Sequence, residues 1–249
     1  MQKSNVILQC RGLSKNFGGL EAVSNLDFEI HEKEVLGLIG PNGAGKTTVF
    51  NLLTGVLKAD KGEVQYNGSD LLKLPAHKIT ELGMARTFQL IRSFEDMTVL
   101  DNVMIGGLFG RKKSHEKAHE DGMRYLSFVN MDDHVDKKVK NLTPYDRKRT
   151  ELAAVLNTEP KLILLDEFVA GLNDSELDNA IALTRRIRDD LGKTLFWIEH
   201  VMKAIMNVAE RIIVIDYGKK IAEGPPKEIS QNKDVIAAYL GDEFGKERA

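Results

Sequence analysis

The sequence predicts an α/β fold whose parallel β-sheet core carries an antiparallel β layer and an inserted α-helical segment. The first 30 residues contain two runs, VILQCRGLSKNF and LEAVSNLDFEI, whose partly alternating apolar residues are typical of antiparallel strands. Four continuous apolar runs, EVLGLIG, LILLD, TLFWIE and RIIVID, are typical of strands buried in a parallel sheet. Between the first and the second of these, residues 90–158 lose the strand signals and are rich in charged, helix-favouring residues.

The order of the elements indicates the topology. After EVLGLIG, a glycine-rich turn leads into TTVFNLLTGVL, which is apolar on nearly every side and predicts a buried helix. An Asn67-Gly68 turn in GEVQYNGSD predicts a hairpin that completes the antiparallel layer. The segment DSELDNAIALTRRIRDDLGK has apolar residues at helical spacing, with Asp174 as the predicted N-cap. Since β-α-β alternation uses right-handed crossovers, we expect a parallel sheet with helices on its faces.

A chain of 249 residues is long enough for one large domain with an appended lobe. We predict a single domain that contains an insertion. Its core and β layer comprise residues 1–89 and 159–240, its helical subdomain residues 90–158, and its C-terminal tail residues 241–249.

Charge and cysteine content restrict the partners and the compartment. The formal net charge of −2 and the pI near 6.3 give no basic footprint, so we expect no nucleic acid as the main partner. The single cysteine, Cys10, cannot form an internal disulfide, which fits a reducing compartment. No apolar run approaches the roughly 20 residues that span a bilayer, and the start has no signal-peptide pattern. We expect a cytoplasmic protein that reaches a membrane only through another chain.

A phosphate-binding motif lies between the first buried strand and its helix. Residues 40–47, GPNGAGKT, match G-x-x-x-x-G-K-[ST] in the strand–turn–helix context that the motif requires. Glycines let the backbone N–H groups wrap around phosphate oxygens at a helix N-terminus. Lys46 is predicted to reach the β- and γ-phosphates, and the Thr47 hydroxyl to bind Mg²⁺; the alternative is a glycine-rich turn that matches by chance. The predicted nucleotide-binding residues are Gly40, Pro41, Asn42, Gly43, Ala44, Gly45, Lys46, Thr47 and Thr48.

A second motif supplies the carboxylates that such a loop requires. The apolar strand LILLD ends in Asp166, which is predicted to hold the Mg²⁺ shell. The adjacent Glu167 is predicted to polarise a water for in-line attack on the γ-phosphate. By itself, an apolar strand that ends in two acids can equally be a solvated strand end, but the phosphate loop favours the catalytic interpretation.

With these motifs, the whole chain resembles the ATP-binding subunits of ABC transporters. The resemblance implies a P-loop NTPase (RecA-like) core, ATP and Mg²⁺ as cofactors, and ATP hydrolysis. It also implies an aromatic residue that stacks on adenine at Phe17, and at Gln89 a catalytic glutamine that senses Mg²⁺, water and the membrane subunit. Asn173 falls at the loop that crosses the dimer interface, and His200 matches the histidine that contacts the γ-phosphate. The alternatives are a core aromatic at Phe17, a solvated loop residue at Gln89, a helix cap at Asn173 and a structural histidine at His200.

Within that family, GMARTFQLIRSFEDMTVLDNVMIG and IDYGKKIAEGPPKEISQNKDVIAAYLGD look most like the subunits of branched-chain amino-acid importers. The resemblance implies integral membrane permease subunits, a second ABC ATPase subunit and, indirectly, a solute-binding protein as partners. It places the chain on the inner face of the cell membrane. The alternative is a soluble ABC-type ATP switch or assembly factor without a permease, which copurification with a polytopic membrane protein would distinguish.

The stretch LTPYD, residues 142–146, stands where the family has its signature, nominally L-S-G-G-Q. In the head-to-tail dimers of the family, this segment binds the ATP held by the other subunit, so the resemblance assigns Thr143 and Tyr145 to nucleotide binding. Thr143 keeps a hydroxyl, but Pro144 has no N–H group to donate. Tyr145 replaces a glycine, and a left-handed backbone there would cost a residue with a Cβ about 1–2 kcal/mol.

Asp146 adds a negative charge near the phosphates, which we expect Arg147 and Lys148 to offset in part. We therefore predict a weakened clamp and an asymmetric heterodimer with one competent site, although a homodimer is possible. The alternative is that the segment closes differently and tolerates these substitutions.

Two further features lie in the helical segment. His115, Glu116 and His119 match the zinc-protease pattern H-E-x-x-H, but their charged flanks favour a solvated helix face. Apolar residues after Gln89 are predicted to form a groove for a helix of a membrane subunit, or to pack between the two lobes. These residues are Ile91, Phe94, Met97 and Val99.

Overall fold

A computed structural model describes residues 5–87 and 93–246. The strands in these residues are Val6–Phe17 (β1), Leu20–His31 (β2), Val35–Ile39 (β3), Lys61–Tyr66 (β4), Ser69–Asp70 (β5), Met84–Arg86 (β6), Leu162–Asp166 (β7), Thr194–Ile198 (β8), Arg211–Asp216 (β9) and Lys219–Gly224 (β10).

The strands form the two predicted sheets. One is antiparallel with the order β2-β1-β4-β5. The other has the order β10-β9-β3-β8-β7-β6 and is parallel throughout, except that β10 pairs antiparallel with β9. The predicted antiparallel layer and parallel core are therefore confirmed, whereas β6 and β10 are strands that the sequence pattern did not predict.

The helices surround the parallel sheet and fill the inserted segment. They are Lys46–Leu53 (α1), Ala76–Glu81 (α2), Val99–Ile105 (α3), His115–Phe128 (α4), Pro144–Asn157 (α5), Asp174–Asp189 (α6), Met202–Val208 (α7), Pro226–Ile229 (α8) and Lys233–Lys246 (α9). Helices α3, α4 and α5 lie between β6 and β7 in the chain and pack on one another. The inserted helical segment is therefore confirmed, while its division at residues 90 and 158 stays a prediction. Among the described residues, no helix is both long enough and apolar enough to cross a membrane.

The parallel strands are apolar throughout because each strand contributes to two cores. In β3, Leu36 and Leu38 pack between the two sheets, whereas Val35 and Ile39 face the helices on the other side. All four side chains are no more than 1% exposed. Full burial of such a side chain contributes about 1.5–3 kcal/mol, so both faces of the sheet stabilise the edge that carries the site.

Two predicted helix ends differ from the structure. Helix α1 ends at Leu53 rather than continuing through the predicted TGVL, because Gly55 adopts a left-handed backbone with φ of +69°. The N-cap of α6 is Asn173, not Asp174. Asn173 is the N-cap because its side chain accepts from the Glu176 N–H while the Glu176 carboxylate accepts from the Asn173 N–H, and these two bonds form a capping box.

Candidate functional site

Three neighbouring strands end at one edge of the parallel sheet and bring together residues from distant parts of the chain. Strands β3, β8 and β7 lie side by side, and Asp166 is opposite Ile198 in the register. The phosphate loop follows β3, Asp166 ends β7, and His200 lies just beyond the end of β8. Since the carboxyl ends of parallel strands meet at one edge, the loop, the carboxylates and the histidine lie around one crevice.

The phosphate loop has two close backbone contacts that require glycine. Gly40 has a φ of +156°, and a Cβ there would lie 2.0 Å from the carbonyl oxygen of Ile215. Gly45 has a φ of +104°, and its Cβ would lie 2.3 Å from the carbonyl oxygen of Ala22. Gly43 also has a positive φ, +81°, but a Cβ there would meet nothing within 4 Å. Packing therefore requires glycine at two positions of the loop, and backbone conformation alone favours it at the third.

Cationic and polar groups of the loop face the space where phosphates would bind. The buried Lys46 ammonium donates to the carbonyl oxygens of Gly40 at 2.6 Å and Pro41 at 2.8 Å. Helix α1 begins at Lys46, so its first N–H groups and the positive end of its dipole lie at the loop. Ala44 is buried and Thr48 half-buried, while Asn42, Gly43 and Thr47 are exposed. The loop thus combines an ammonium, N–H donors and an accessible hydroxyl, which suits a polyphosphate.

Asp166 is held by a buried arginine that the sequence analysis did not identify. Its Oδ2 accepts from Arg86 Nη2 at 2.5 Å, and Arg86 Nη1 donates to Asn51 Oδ1 at 2.7 Å. The main-chain N–H of Asp166 donates to the Thr87 hydroxyl at 3.1 Å. Burial raises the pKa of Asp166 above its ordinary value, and the charges of Arg86 and Lys46 oppose that rise. The Arg86–Asp166 pair holds Oδ2 in place and thereby sets the direction in which Oδ1 points.

The second oxygen of Asp166 fits a metal ion. Oδ1 is buried and has no hydrogen-bond partner among residues 5–87 and 93–246. An anionic oxygen that is desolvated and unpartnered is costly, and Mg²⁺ binds carboxylate and hydroxyl oxygens. The Asp166 carboxylate and the exposed Thr47 hydroxyl therefore offer oxygen donors of the kind that Mg²⁺ binds.

Glu167 has a strained backbone beside a half-exposed histidine. Its φ is +51°, a left-handed conformation that costs a non-glycine residue about 1–3 kcal/mol. The Glu167 N–H donates to the carbonyl oxygen of Ile198 at 3.0 Å, which joins it to the end of β8. The Oε1 atom lies 3.8 Å from His200 Nδ1, and the His200 side chain is 51% exposed. Strain of this kind clusters at functional sites, and both side chains lie at the mouth of the crevice.

A buried carboxylate that no sequence motif indicated supports these two residues. Glu199 is fully buried, and its Oε1 accepts from the Val169 N–H at 2.9 Å and from Trp197 Nε1 at 3.3 Å. Its Oε2 accepts from the His200 N–H at 3.3 Å. Burial raises the pKa of Glu199. Glu199 therefore links the backbone after Glu167 to the backbone of His200. In the sequence, only its position beside His200 in WIEH could have indicated this role.

Phe17 lies on the surface rather than in the core. It ends β1, pairs with Leu20 across the hairpin, and is 45% exposed. Lys15 Nζ lies 5.6 Å from its ring centroid. The next strand carries Ala22, whose carbonyl closely approaches Gly45, so the hairpin adjoins the phosphate loop. An exposed aromatic ring beside that loop is accessible to a nucleotide base.

The segment LTPYD, at the signature position, forms the start of helix α5 with regular helix-cap geometry. Thr143 is the N-cap, its Oγ1 accepts from the Asp146 N–H at 3.1 Å, and Pro144 is the first helical residue. Tyr145 is only 8% exposed, and Arg149 lies over its ring at 4.9 Å from the centroid. Burial also raises the pKa of the Tyr145 phenol. The conditional cost of a left-handed backbone does not apply to Tyr145 here, because the residue lies in a regular first helical turn and is not among the described residues with positive φ.

The carboxylate of Asp146 has cationic neighbours within the helical segment. It pairs with Arg149 one turn later and lies 3.8 Å from His134 Nε2. Arg147 instead pairs with Glu95 at 2.8 Å. Arg149 reaches the carboxylate because on a helix the residue three positions later shares the face of Asp146. The partial offset of its repulsion of phosphates by Arg147 and Lys148 stays a prediction.

The remaining predicted residues lie in different settings. Asn173 caps α6, so its side-chain oxygen is committed to the Glu176 N–H at 3.0 Å, and Gly171 before it has a φ of +75°. Gln89 lies outside the described residues. His115, Glu116 and His119 are exposed on α4. Among the described residues, no three or more His, Cys, Asp or Glu side chains are grouped as a metal site.

A mainly apolar cavity of about 320 Å³ lies between the core and the helical segment. Its wall includes Val56 and Phe94, which are 55% and 56% exposed. Of the residues predicted for a groove, Phe94 therefore lines it, Met97 is half-buried and Ile91 is outside the described residues. Val99 is fully buried at the start of α3, which agrees with the alternative of packing rather than with a place in a groove.

Sequence comparison shows similarity over nearly the full chain. Residues 23–170 match the family described as ABC transporter, and residues 219–245 match the family described as branched-chain amino acid ATP-binding cassette transporter. The high-affinity branched-chain amino acid transport ATP-binding protein BraF of Pseudomonas aeruginosa is 38% identical over 253 residues, covering 96% of this chain and 99% of that protein. The protein of the same description named LivG in Escherichia coli is 37% identical with the same coverage.

Solved structures show the same similarity. The ADP conformation of MJ1267, an ATP-binding cassette of an ABC transporter, has a TM-score of 0.86 and 29% identity, covering 95% of this chain and 99% of that one. A nucleotide-free ATP-binding cassette from an ABC transporter has a TM-score of 0.84 and 29% identity, covering 94% and 98%. Fold, motif geometry and sequence agree: the chain belongs to the ATP-binding cassette family of ABC transporters.

Proposed function

We propose that this chain is the ATP-hydrolysing motor subunit of an importer for branched-chain amino acids or a related small polar solute. The observation that carries the proposal is the convergence of the phosphate loop, Asp166, Glu167 and His200 at one edge of the sheet. The solute class is supported by relatives named for branched-chain amino acid transport and by the match of residues 219–245.

In this proposal, the site residues divide the chemistry among them. Lys46 and the loop N–H groups hold the β- and γ-phosphates, and Phe17 stacks on the base. Thr47 and Asp166 hold Mg²⁺, which neutralises charge on the phosphate oxygens when bound. Gln89, which completes the proposed Mg²⁺ and water contacts, lies outside the described residues.

Hydrolysis then requires a positioned water. Glu167 accepts a proton as the water oxygen bonds to the γ-phosphorus, and the bond to the bridging oxygen breaks to leave ADP and phosphate. His200 lies beside the Glu167 carboxylate and contacts the γ-phosphate. General base action of this kind contributes about 10²–10⁴-fold to a rate.

The second nucleotide of a head-to-tail dimer would meet a poor surface on α5. The Thr143 hydroxyl already accepts from the Asp146 N–H, Pro144 has no N–H, and the Tyr145 side chain is buried. We therefore propose a heterodimer in which the other ATPase subunit supplies an intact signature to this chain's phosphate loop. In the dimer, Asn173 stabilises the crossing loop through its helix cap.

The remaining partners follow from the same proposal. The apolar cavity with exposed Phe94 and Val56 suits a short helix from an integral membrane permease subunit. Such docking would place the chain peripherally on the inner face of the cell membrane, with a solute-binding protein acting on the permease from the other side. The alternative, a soluble ABC-type ATP switch, has no use for this cavity.

Purification of the complex tests the proposal. A tagged copy of the chain is purified from detergent-solubilised membranes, and the complex is reconstituted in vesicles. Leucine, isoleucine or valine should stimulate ATP hydrolysis and accumulate with ATP, whereas a Glu167→Gln complex should do neither. Copurification without any polytopic membrane protein would favour the soluble switch.

A further inference from the structure

The backbone turn that follows Glu167 is held by a side chain from the signature helix of the same chain. Lys148 lies on α5, and its Nζ donates to three main-chain carbonyl oxygens: Glu167 at 3.2 Å, Phe168 at 3.0 Å and Ala170 at 2.9 Å. An ammonium has three N–H donors, so these contacts use its full donor capacity. The site described above does not account for this arrangement.

The three carbonyls belong to a turn that needs external support. Glu167 has the left-handed backbone described above, and the Ala170 N–H closes the turn on the Glu167 carbonyl at 3.2 Å. Several carbonyl oxygens that converge repel one another, and a cation placed among them offsets that repulsion. A strained conformation persists only when its surroundings over-determine it, and Lys148 supplies the contacts on one side.

Glu199 holds the same turn from the other side. Its carboxylate accepts from the Val169 N–H, and Lys148 donates to the Phe168 carbonyl, so the two side chains bind the two ends of the same peptide group. Glu199 is fully buried, and its charge, like those of Glu151 and Glu167, favours the charged form of Lys148. Burial lowers the pKa of Lys148.

We propose that Lys148 is a positioning residue for ATP hydrolysis in its own subunit, where its ammonium holds the turn that aims the Glu167 carboxylate. The inference rests on the proposed role of Glu167 as the general base. It gives α5 two separate roles: its first residues face the nucleotide of a partner, while Lys148, farther along the helix, serves this chain's own site. Substitutions that weaken the clamp at Pro144 and Tyr145 therefore leave this contact intact.

Matched variants test the proposal in the complex that copurifies with a tagged copy of the chain. Lys148→Met removes the charge and keeps the length of the side chain, and Lys148→Arg keeps a cation with donors. Lys140→Met is the control, because the Lys140 side chain is 48% exposed and, within the described part of the chain, forms an ion pair with Asp96 alone, at 2.7 Å. Glu167→Gln reports on the general base independently.

We expect Lys148→Met to change kcat for ATP hydrolysis much more than KM for ATP. Lys148→Met should lower kcat by roughly tenfold to a hundredfold, because misplacement of a catalytic group by about 1 Å has an effect of this size. KM for ATP should change less than about twofold, since Lys148 donates to the turn after Glu167 rather than to the phosphate loop. Lys148→Arg should recover part of kcat, and Lys140→Met should match the parent complex.

A second measurement uses the nucleotide-free chain. Amide hydrogen exchange at Val169 and Ala170 should be faster in Lys148→Met, with exchange in β3 unchanged. An unchanged kcat in Lys148→Met beside an inactive Glu167→Gln would overturn the positioning role and leave the general base in place. Full activity of Glu167→Gln would overturn both assignments, and a loss confined to KM or to global unfolding would also overturn the proposal.

Discussion

Gly45→Ala tests the packing of the phosphate loop against β2. The residue has a φ of +104°, which costs a residue with a Cβ about 1–2 kcal/mol. The new Cβ would lie 2.3 Å from the carbonyl oxygen of Ala22. Separation to a normal contact of about 3.5 Å requires a shift of roughly 1 Å in one of two backbones, and such overpacking typically costs about 1–3 kcal/mol. The expected loss in the free energy of unfolding is therefore about 2–5 kcal/mol.

Gly43→Ala is the matched control within the same loop. Its φ is +81°, but a Cβ there would meet nothing within 4 Å, so only the conformational loss of about 1–2 kcal/mol remains. Urea unfolding of the nucleotide-free chains measures the loss in the free energy of unfolding for both variants. Alanine lowers the conformational entropy of the unfolded chain in both variants, so this effect cancels when they are compared. Losses that agree within about 0.5 kcal/mol would refute the steric explanation. A fluorescent-nucleotide titration should also show weaker binding by Gly45→Ala.

Three further predictions concern charged groups. Asp166→Asn should weaken binding of MgATP more than that of metal-free ATP, and equal nucleotide affinities with and without Mg²⁺ in both chains would contradict this. The same variant should destabilise the nucleotide-free chain by about 3–5 kcal/mol, because the buried Arg86 loses the charge of Asp166. Burial raises the pKa of Asp146, but the hydrogen bonds to Arg149 and Thr143 and the charges of Arg149 and His134 together outweigh it, so the pKa is lowered. The stabilisation by Asp146 is therefore present above the unfolded pKa of about 3.9 and is lost as pH falls through the folded pKa. Asp146→Asn should therefore lower stability at pH 7 by about 1 kcal/mol, with a smaller difference in urea unfolding at pH 3. Glu167→Gln with MgATP should sediment as a monomer alone and as a dimer with an ABC ATPase that has an intact signature; a homodimer would contradict the asymmetric scheme.

The structure also changes how the signature can be tested. Tyr145 is buried in the core around α5, so Tyr145→Gly would remove a large buried side chain, a change that typically costs about 3–5 kcal/mol. A rise in turnover in such a variant would be obscured by unfolding. Pro144→Gly alone, which restores a main-chain N–H at the exposed helix start, separates clamp function from stability.

Strong local patterns were sufficient for most of the fold. The continuous apolar runs predicted β3, β7, β8 and β9 because these strands are buried on both faces. Strand β10, KKIAEG, escaped prediction because it is an edge strand whose Lys220 and Glu223 pair with each other on the surface. Strand β6 has only three residues, too few for any periodicity.

By itself, the sequence determined the phosphate loop, the acidic strand end and the order of the elements, because these depend on neighbouring residues and on short-range backbone geometry. Only the tertiary structure decided which distant side chains meet. Arg86 and Asp166 are 80 residues apart, and Lys148 meets a turn 19 to 22 residues later. The structure also decided that Tyr145 is helical and buried. Such contacts follow from the order of strands in the sheet and the packing of α5, which no local pattern of residue types encodes.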